Sequence, residues 1–130
     1  MKKALIRECE RIAIRNNTPE KHPRYNHYIH FSFIIQDNKL VGHATNSAGQ
    51  SIYHRFYNDR SMIHSEAAAF KKVKGLLNRD KNFEVINIRL NKLNEYRVSK
   101  PCECCTNFLS IMGCNKVYYT TDEGFESVSL

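Results

Sequence analysis

Two short segments constrain this chain more than anything else in it: His64-Ser65-Glu66 and Pro101-Cys102-Glu103-Cys104-Cys105, each set at the start of a predicted helix. Cysteines three residues apart at a helix start lie on one side of its first turn. The exposed N–H groups and the dipole of that helix end favour the thiolate form. A histidine at a second helix start can be delivered to the same point. The chain must then bring two helix N-termini together on one support.

The rest of the pattern supplies such a support. Ala4, Leu5, Cys9, Ile12 and Ala13 recur at helical spacing, so the sequence predicts an amphipathic helix over Lys2 to Asn16, ended by Asn16-Asn17-Thr18-Pro19. Tyr28 to Gln36 is aromatic and β-branched, the composition of a strand. Asp37-Asn38 makes a tight turn into a second strand, Lys39 to Ala44. Asn46 to Arg60 has no apolar period and reads as a long loop, and such loops in compact domains are often functional. Ser61 is the expected N-cap of a helix from Met62 to Asn78. Phe83 to Leu90 alternates apolar and polar residues as a strand does. Pro101 suits the first position of a helix over Cys102 to Met112 that Gly113 closes. Lys116 to Thr120 and Phe125 to Ser129 are the last two strands, joined at Asp122-Glu123-Gly124. The ten residues after Thr120 are too few for a helix and a returning parallel strand, so an antiparallel hairpin is expected there. This order predicts an α/β fold: a three-layer α-β-α sandwich around a mixed five-stranded sheet.

Length and charge narrow the class. At 130 residues, with 42% hydrophobic and 25% charged residues, the chain is expected to form one domain, 1–130, around one core. Uncharged apolar runs such as Phe31 to Ile35 fall far short of a bilayer span. Arg7, Glu8 and Glu10 interrupt any leader-like apolar core, so a cytoplasmic protein without membrane partners is expected. In a reducing compartment the five cysteines read as thiols or metal ligands rather than a disulfide framework. The net charge of +7 favours polyanionic or phosphorylated ligands.

The two segments suit one chemistry. A catalytic zinc takes three protein ligands and leaves its fourth position to water. His64, Cys102 and Cys105 offer one imidazole and two thiolates, and Glu66 projects from the same turn as His64 without having to bind metal. Zinc lowers the pKa of its bound water from about 15.7 to about 7, and a nearby carboxylate can then shuttle the proton. An H-x-E segment with P-C-x-x-C is the signature of the zinc deaminases that act on nucleobases.

With these residues in view, the chain resembles the cytidine and deoxycytidylate deaminase superfamily, in both motifs and in element order. The resemblance implies a zinc-dependent hydrolytic deaminase of cytosine or adenine, often oligomeric, with Glu66 as proton shuttle. Asn46 resembles the asparagine that hydrogen-bonds substrate in many members, and Ser99 sits where a backbone carbonyl commonly lies near the amine. Ser65, Arg55 and Arg60 complete the expected substrate contacts. The histidine ligand is similar to that of nucleotide and polynucleotide deaminases, whereas the terminal hairpin is more similar to nucleoside-type members. A cytosine base on a nucleotide is the expected substrate, with a base in single-stranded DNA or RNA as the alternative.

Two other readings exist for the cysteines. A thioredoxin-like C-x-x-C leaves His64-Ser65-Glu66 unexplained. A structural zinc in a nucleic-acid-binding module needs a fourth ligand, for which Cys104, Cys114 or His54 are available. Cys9, Cys104 and Cys114 otherwise read as core thiols. His22, His27, His30 and His43 have no ligand-like spacing, and Phe56 and Tyr57 could stack on a base or pack inward.

Overall fold

A computed structural model describes residues 2–18, 29–58 and 62–130. The first helix, α1, runs Lys2–Asn16, and its Cys9 and Ala13 are buried against the sheet. Strands β1 (Ile29–Gln36) and β2 (Lys39–Thr45) form an antiparallel hairpin. Asp37 and Asn38 both take positive φ, 54° and 60°, which the tightest hairpin turn demands and these two residue types tolerate.

The predicted long loop is partly ordered by pairing. Two-residue strands β3 (Ser47–Ala48) and β4 (Met62–Ile63) pair antiparallel, and His54–Phe56 forms a 3-10 turn. This shortens the next helix. Met62 and Ile63 spend their backbone groups on β3, so α2 spans Ser65–Val73 rather than starting at Met62. His64, extended at φ −69° and ψ 146°, is the N-cap instead of Ser61. Ser61 itself, like Tyr28 and Arg60, lies outside the described residues. Beyond Val73 the chain tightens into a 3-10 turn over Lys74–Leu76, ending the helix before Asn78.

Strand β5 (Phe83–Leu90) pairs antiparallel with β1 and carries the two-residue β6 (Tyr96–Arg97) on part of its other edge. Helix α3 spans Glu103–Met112 with Cys102 as N-cap, so Pro101 stands just outside the helix rather than at its first position. Gly113 ends α3 at φ 103°, the left-handed C-cap expected of it. Strands β7 (Cys114–Thr121) and β8 (Gly124–Ser129) close the sheet as the antiparallel hairpin the sequence implies. The order β2-β1-β5-β7-β8 has one parallel pair, β5 with β7, so the sheet is mixed.

Helices cover both faces. Ile29, Phe31, Phe33 and Ile35 of β1 join Ile86, Ile88 and Leu90 of β5 beneath α1. Alternate residues of the same strands, Ile34 and Val85, pack with Ala67, Ala69 and Val73 of α2 and Phe108 and Leu109 of α3. Gly42 allows the close approach of α2: a Cβ there would lie 2.5 Å from Val73 Cγ1. No helix among the described residues is long and apolar enough to cross a membrane.

Candidate active site

The N-termini of α2 and α3 converge on the face of the sheet opposite α1. His64 caps one helix and Cys102 the other, and Cys105 lies one turn into α3. Their donor atoms all lie within 4.8 Å of one another. His64 Nδ1 is 3.8 Å from Cys102 Sγ and 3.5 Å from Cys105 Sγ. A tetrahedral zinc, with bonds of about 2.3 Å to sulfur and about 2.0–2.1 Å to nitrogen, sets S···N separations of about 3.6 Å. The donor set therefore fits zinc in chemistry and in spacing.

The electrostatics set the two thiols apart, favouring the thiolate at Cys102 and the thiol at Cys105. Cys102 accepts from the Cys105 backbone N–H at 3.4 Å, as an N-cap side chain does. Its thiol is held down to about 3, first by the hydrogen bond from Cys105 and then by the one from His64. Cys105, fully buried, is pushed up by its hydrogen bond to Cys102 and by burial. The Tyr57 hydroxyl lies 2.8 Å from Cys105 Sγ, and the Tyr57 ring centroid is 4.5 Å from that of His64.

Glu66 sits beside the donors, 2% exposed, with both oxygens held. Ser65 Oγ donates to Oε1 at 3.2 Å, and Asn87 Nδ2 donates to Oε2 at 3.0 Å. Asn87, on β5, also donates to the Ser99 carbonyl at 3.1 Å, and its Oδ1 accepts from Ser32 Oγ at 2.7 Å. Ser32 Oγ also lies 2.7 Å from Ser65 Oγ. Ser99 Oγ donates to the Asn87 carbonyl at 2.9 Å, and the Thr120 N–H and hydroxyl reach Ser99 Oγ at 2.7 and 2.8 Å. All six side chains are buried. A buried polar group without a partner costs about 1–3 kcal/mol, so a chain of mutually satisfied ones holds a single arrangement. The donors to Glu66 are neutral, which orients the carboxylate without cancelling its charge.

Among the expected substrate contacts, Ser65 and Ser99 lie inside this network. Asn46 is half-buried at the end of β2, exchanging 3.2 Å hydrogen bonds with the backbone of His30. Arg55 is exposed on the 3-10 turn. Tyr57 is not available to stack on a base, since it is buried between His64 and Phe108. Phe56 likewise packs edge-on to Phe108. Cys114 points its thiol at the Lys116 carbonyl, and among the described residues no fourth His, Cys, Asp or Glu joins the three donors.

Ser32, Asn87 and Thr120 escape the sequence reading because spacing says nothing about them, and Tyr57 reads there only as a base-stacking or packing residue. His30 escapes it too: it pairs with Arg89 on the site face of the sheet, and its Nε2 is buried with no hydrogen-bond partner among the described residues. Burial pushes this imidazole below its ordinary value, against the pull of the Glu66 carboxylate. The available signal was a polar residue inside a strongly apolar strand: Ser32 in IHFSFIIQ and Asn87 in FEVINIRL.

The fold is similar to that of a cytidine deaminase from Mycobacterium leprae, with a TM-score of 0.57 and 12% identity over 91% of this chain and 88% of that one. No protein-family model and no curated protein sequence matches the chain.

Proposed function

We propose that the protein is a zinc-dependent hydrolase that removes the exocyclic amine of a cytosine base, carried on a nucleotide. The observation that carries this reading is a three-donor set, His64, Cys102 and Cys105, with a buried carboxylate beside it that is not one of the donors. A structural zinc site closes with four protein ligands, whereas a catalytic one leaves a position for water.

Zinc held by these three residues supplies a Lewis acid that lowers the pKa of a water toward neutrality. Glu66 does the proton work. Its carboxylate takes a proton from the attacking water, passes it to the ring nitrogen, and carries a second to the departing ammonia. One carboxylate suffices because these transfers follow one another. Asn87 and Ser65 keep its oxygens aimed through the cycle. Arg55, with Arg60 and Lys100, would meet a phosphate on the substrate through charge-assisted hydrogen bonds.

A second reading, deamination of a base within single-stranded DNA or RNA, is favoured by the net charge of +7. One assay separates them. Zinc-loaded protein is offered cytidine, cytosine nucleotides, adenosine nucleotides and single-stranded oligonucleotides, and ammonia release is followed at several salt concentrations. Turnover of the cytosine nucleotide above the nucleoside supports the first reading. Turnover of oligonucleotides alone, falling steeply with salt, supports the second. Stoichiometric zinc without turnover of any of them returns the chain to the structural-zinc class.

A further inference from the structure

Tyr57 touches the donor set twice, and the proton chemistry above makes no use of it. Its hydroxyl is 2.8 Å from Cys105 Sγ. Its ring lies 4.5 Å from the His64 imidazole, tilted by 31°. The side chain is 6% exposed, held from behind by Phe108 at 6.4 Å between centroids. It reaches this place because the 3-10 turn over His54–Phe56 packs on α3 and ends in an extended Tyr57, φ −121° and ψ 140°.

We propose that Tyr57 is a positioning residue for the metal centre: its O–H donates to the Cys105 sulfur while its ring fixes the plane of His64, so that one side chain orients two of the three ligands. The inference rests on the reading of His64, Cys102 and Cys105 as zinc ligands. A ligand thiolate can only accept, and a phenol with an ordinary pKa near about 10 carries its proton at neutral pH, so the direction of the bond is set. An O–H pointed at the sulfur draws charge from it and limits its rotation about the Cα–Cβ bond. A ring stacked on the imidazole restricts the torsion that swings Nδ1 toward or away from the sulfurs. Groups that hold ligands in this way are commonly worth about 10–100-fold in metal affinity. If Tyr57 were only a piece of core, its hydroxyl would sit next to solvent or a carbonyl, and phenylalanine would serve equally well.

The test compares zinc affinity, by competition with a chelator, and the sulfur-to-cobalt charge-transfer band of cobalt-loaded protein, in wild type and Tyr57→Phe. This substitution keeps the ring and removes only the donor. The expected result is zinc binding about 10–100-fold weaker, with a shifted cobalt band and unchanged circular dichroism. Phe70→Leu is the control, because its ring packs on Tyr53, Phe83 and Phe108, so it loosens the same aromatic cluster one layer away from Tyr57 and the ligands: it should lower the unfolding temperature and leave the band where wild type has it. Equal zinc affinity and an unmoved band in Tyr57→Phe, in a chain whose wild type binds zinc tightly, overturn this inference alone. A band moved equally by Phe70→Leu also overturns it, since general loosening then accounts for the effect. A wild type that binds no zinc overturns it together with the deaminase reading.

Discussion

The two faces of the sheet are made from alternate residues of the same strands, yet their interiors differ in kind. Beneath α1, β1 and β5 present Phe31, Phe33, Ile35, Ile86, Ile88 and Leu90, a layer of hydrocarbon with no demand on geometry beyond volume. One residue over, the same strands present Ser32 and Asn87, which meet Ser65, Glu66 and Ser99 in a closed set of hydrogen bonds between Ile34, Val85 and Phe108. Hydrocarbon stabilises in proportion to area and tolerates small shifts. A buried polar chain tolerates few, because each displaced partner leaves another unpaired. One face thus holds the fold together, and the other holds one carboxylate at one angle.

If that division is real, substitutions on the two faces fail differently. Glu66→Ala should lose about 10²–10⁴-fold in kcat while keeping zinc and its unfolding transition, because a proton carrier is removed and no ligand is. Loss of zinc in this variant, by metal analysis, would recast Glu66 as a ligand. Phe33→Ala, on the α1 face, should cost about 3–5 kcal/mol in denaturant unfolding. Its kcat per folded molecule should stay at the wild-type value, and a large fall there would erase the distinction between the faces.

Asn87→Leu tests the joint between them. It leaves Glu66 Oε2, the Ser99 carbonyl and the Ser32 hydroxyl without their amide, at about 1–3 kcal/mol of stability. With the carboxylate free to turn, kcat should fall by about 10²-fold with KM little changed. A raised KM at full kcat would make Asn87 a substrate contact instead. The smallest effect is expected at Arg55→Ala. An exposed cation contributes about 0.2–1 kcal/mol, so KM for a cytosine nucleotide should rise by less than about fivefold and KM for the nucleoside not at all. Equal changes for both substrates remove the phosphate from the argument.

The sequence was most informative where one local rule operated alone. The span of α1, the strand Phe83 to Leu90 and the left-handed end of α3 at Gly113 follow from periodicity and capping, and the structure has them at the expected residues. It was least informative between Asn46 and α2, where the pairing of Ser47–Ala48 with Met62–Ile63 overrides the signal for an earlier helix start. Strand β5 shows a subtler limit. Its alternation identifies a strand, and the expected α-β-α layering covers both of its faces, but nothing local says that Asn87 is fully buried on the side of α2 and α3.

What the residues alone determined is the chemistry of the centre: one imidazole and two thiols at two helix starts, with a carboxylate two residues from the imidazole. The residue types and their spacing along the chain are fixed before any distant contact forms. Only the tertiary structure decided how they meet. It set His64 Nδ1 3.5 and 3.8 Å from the two sulfurs, Tyr57 against both the Cys105 and His64 side chains, and Asn87 on the far oxygen of Glu66. Each of these contacts joins elements distant in the chain, and their geometry comes from strand register and helix packing, which local periodicity does not encode.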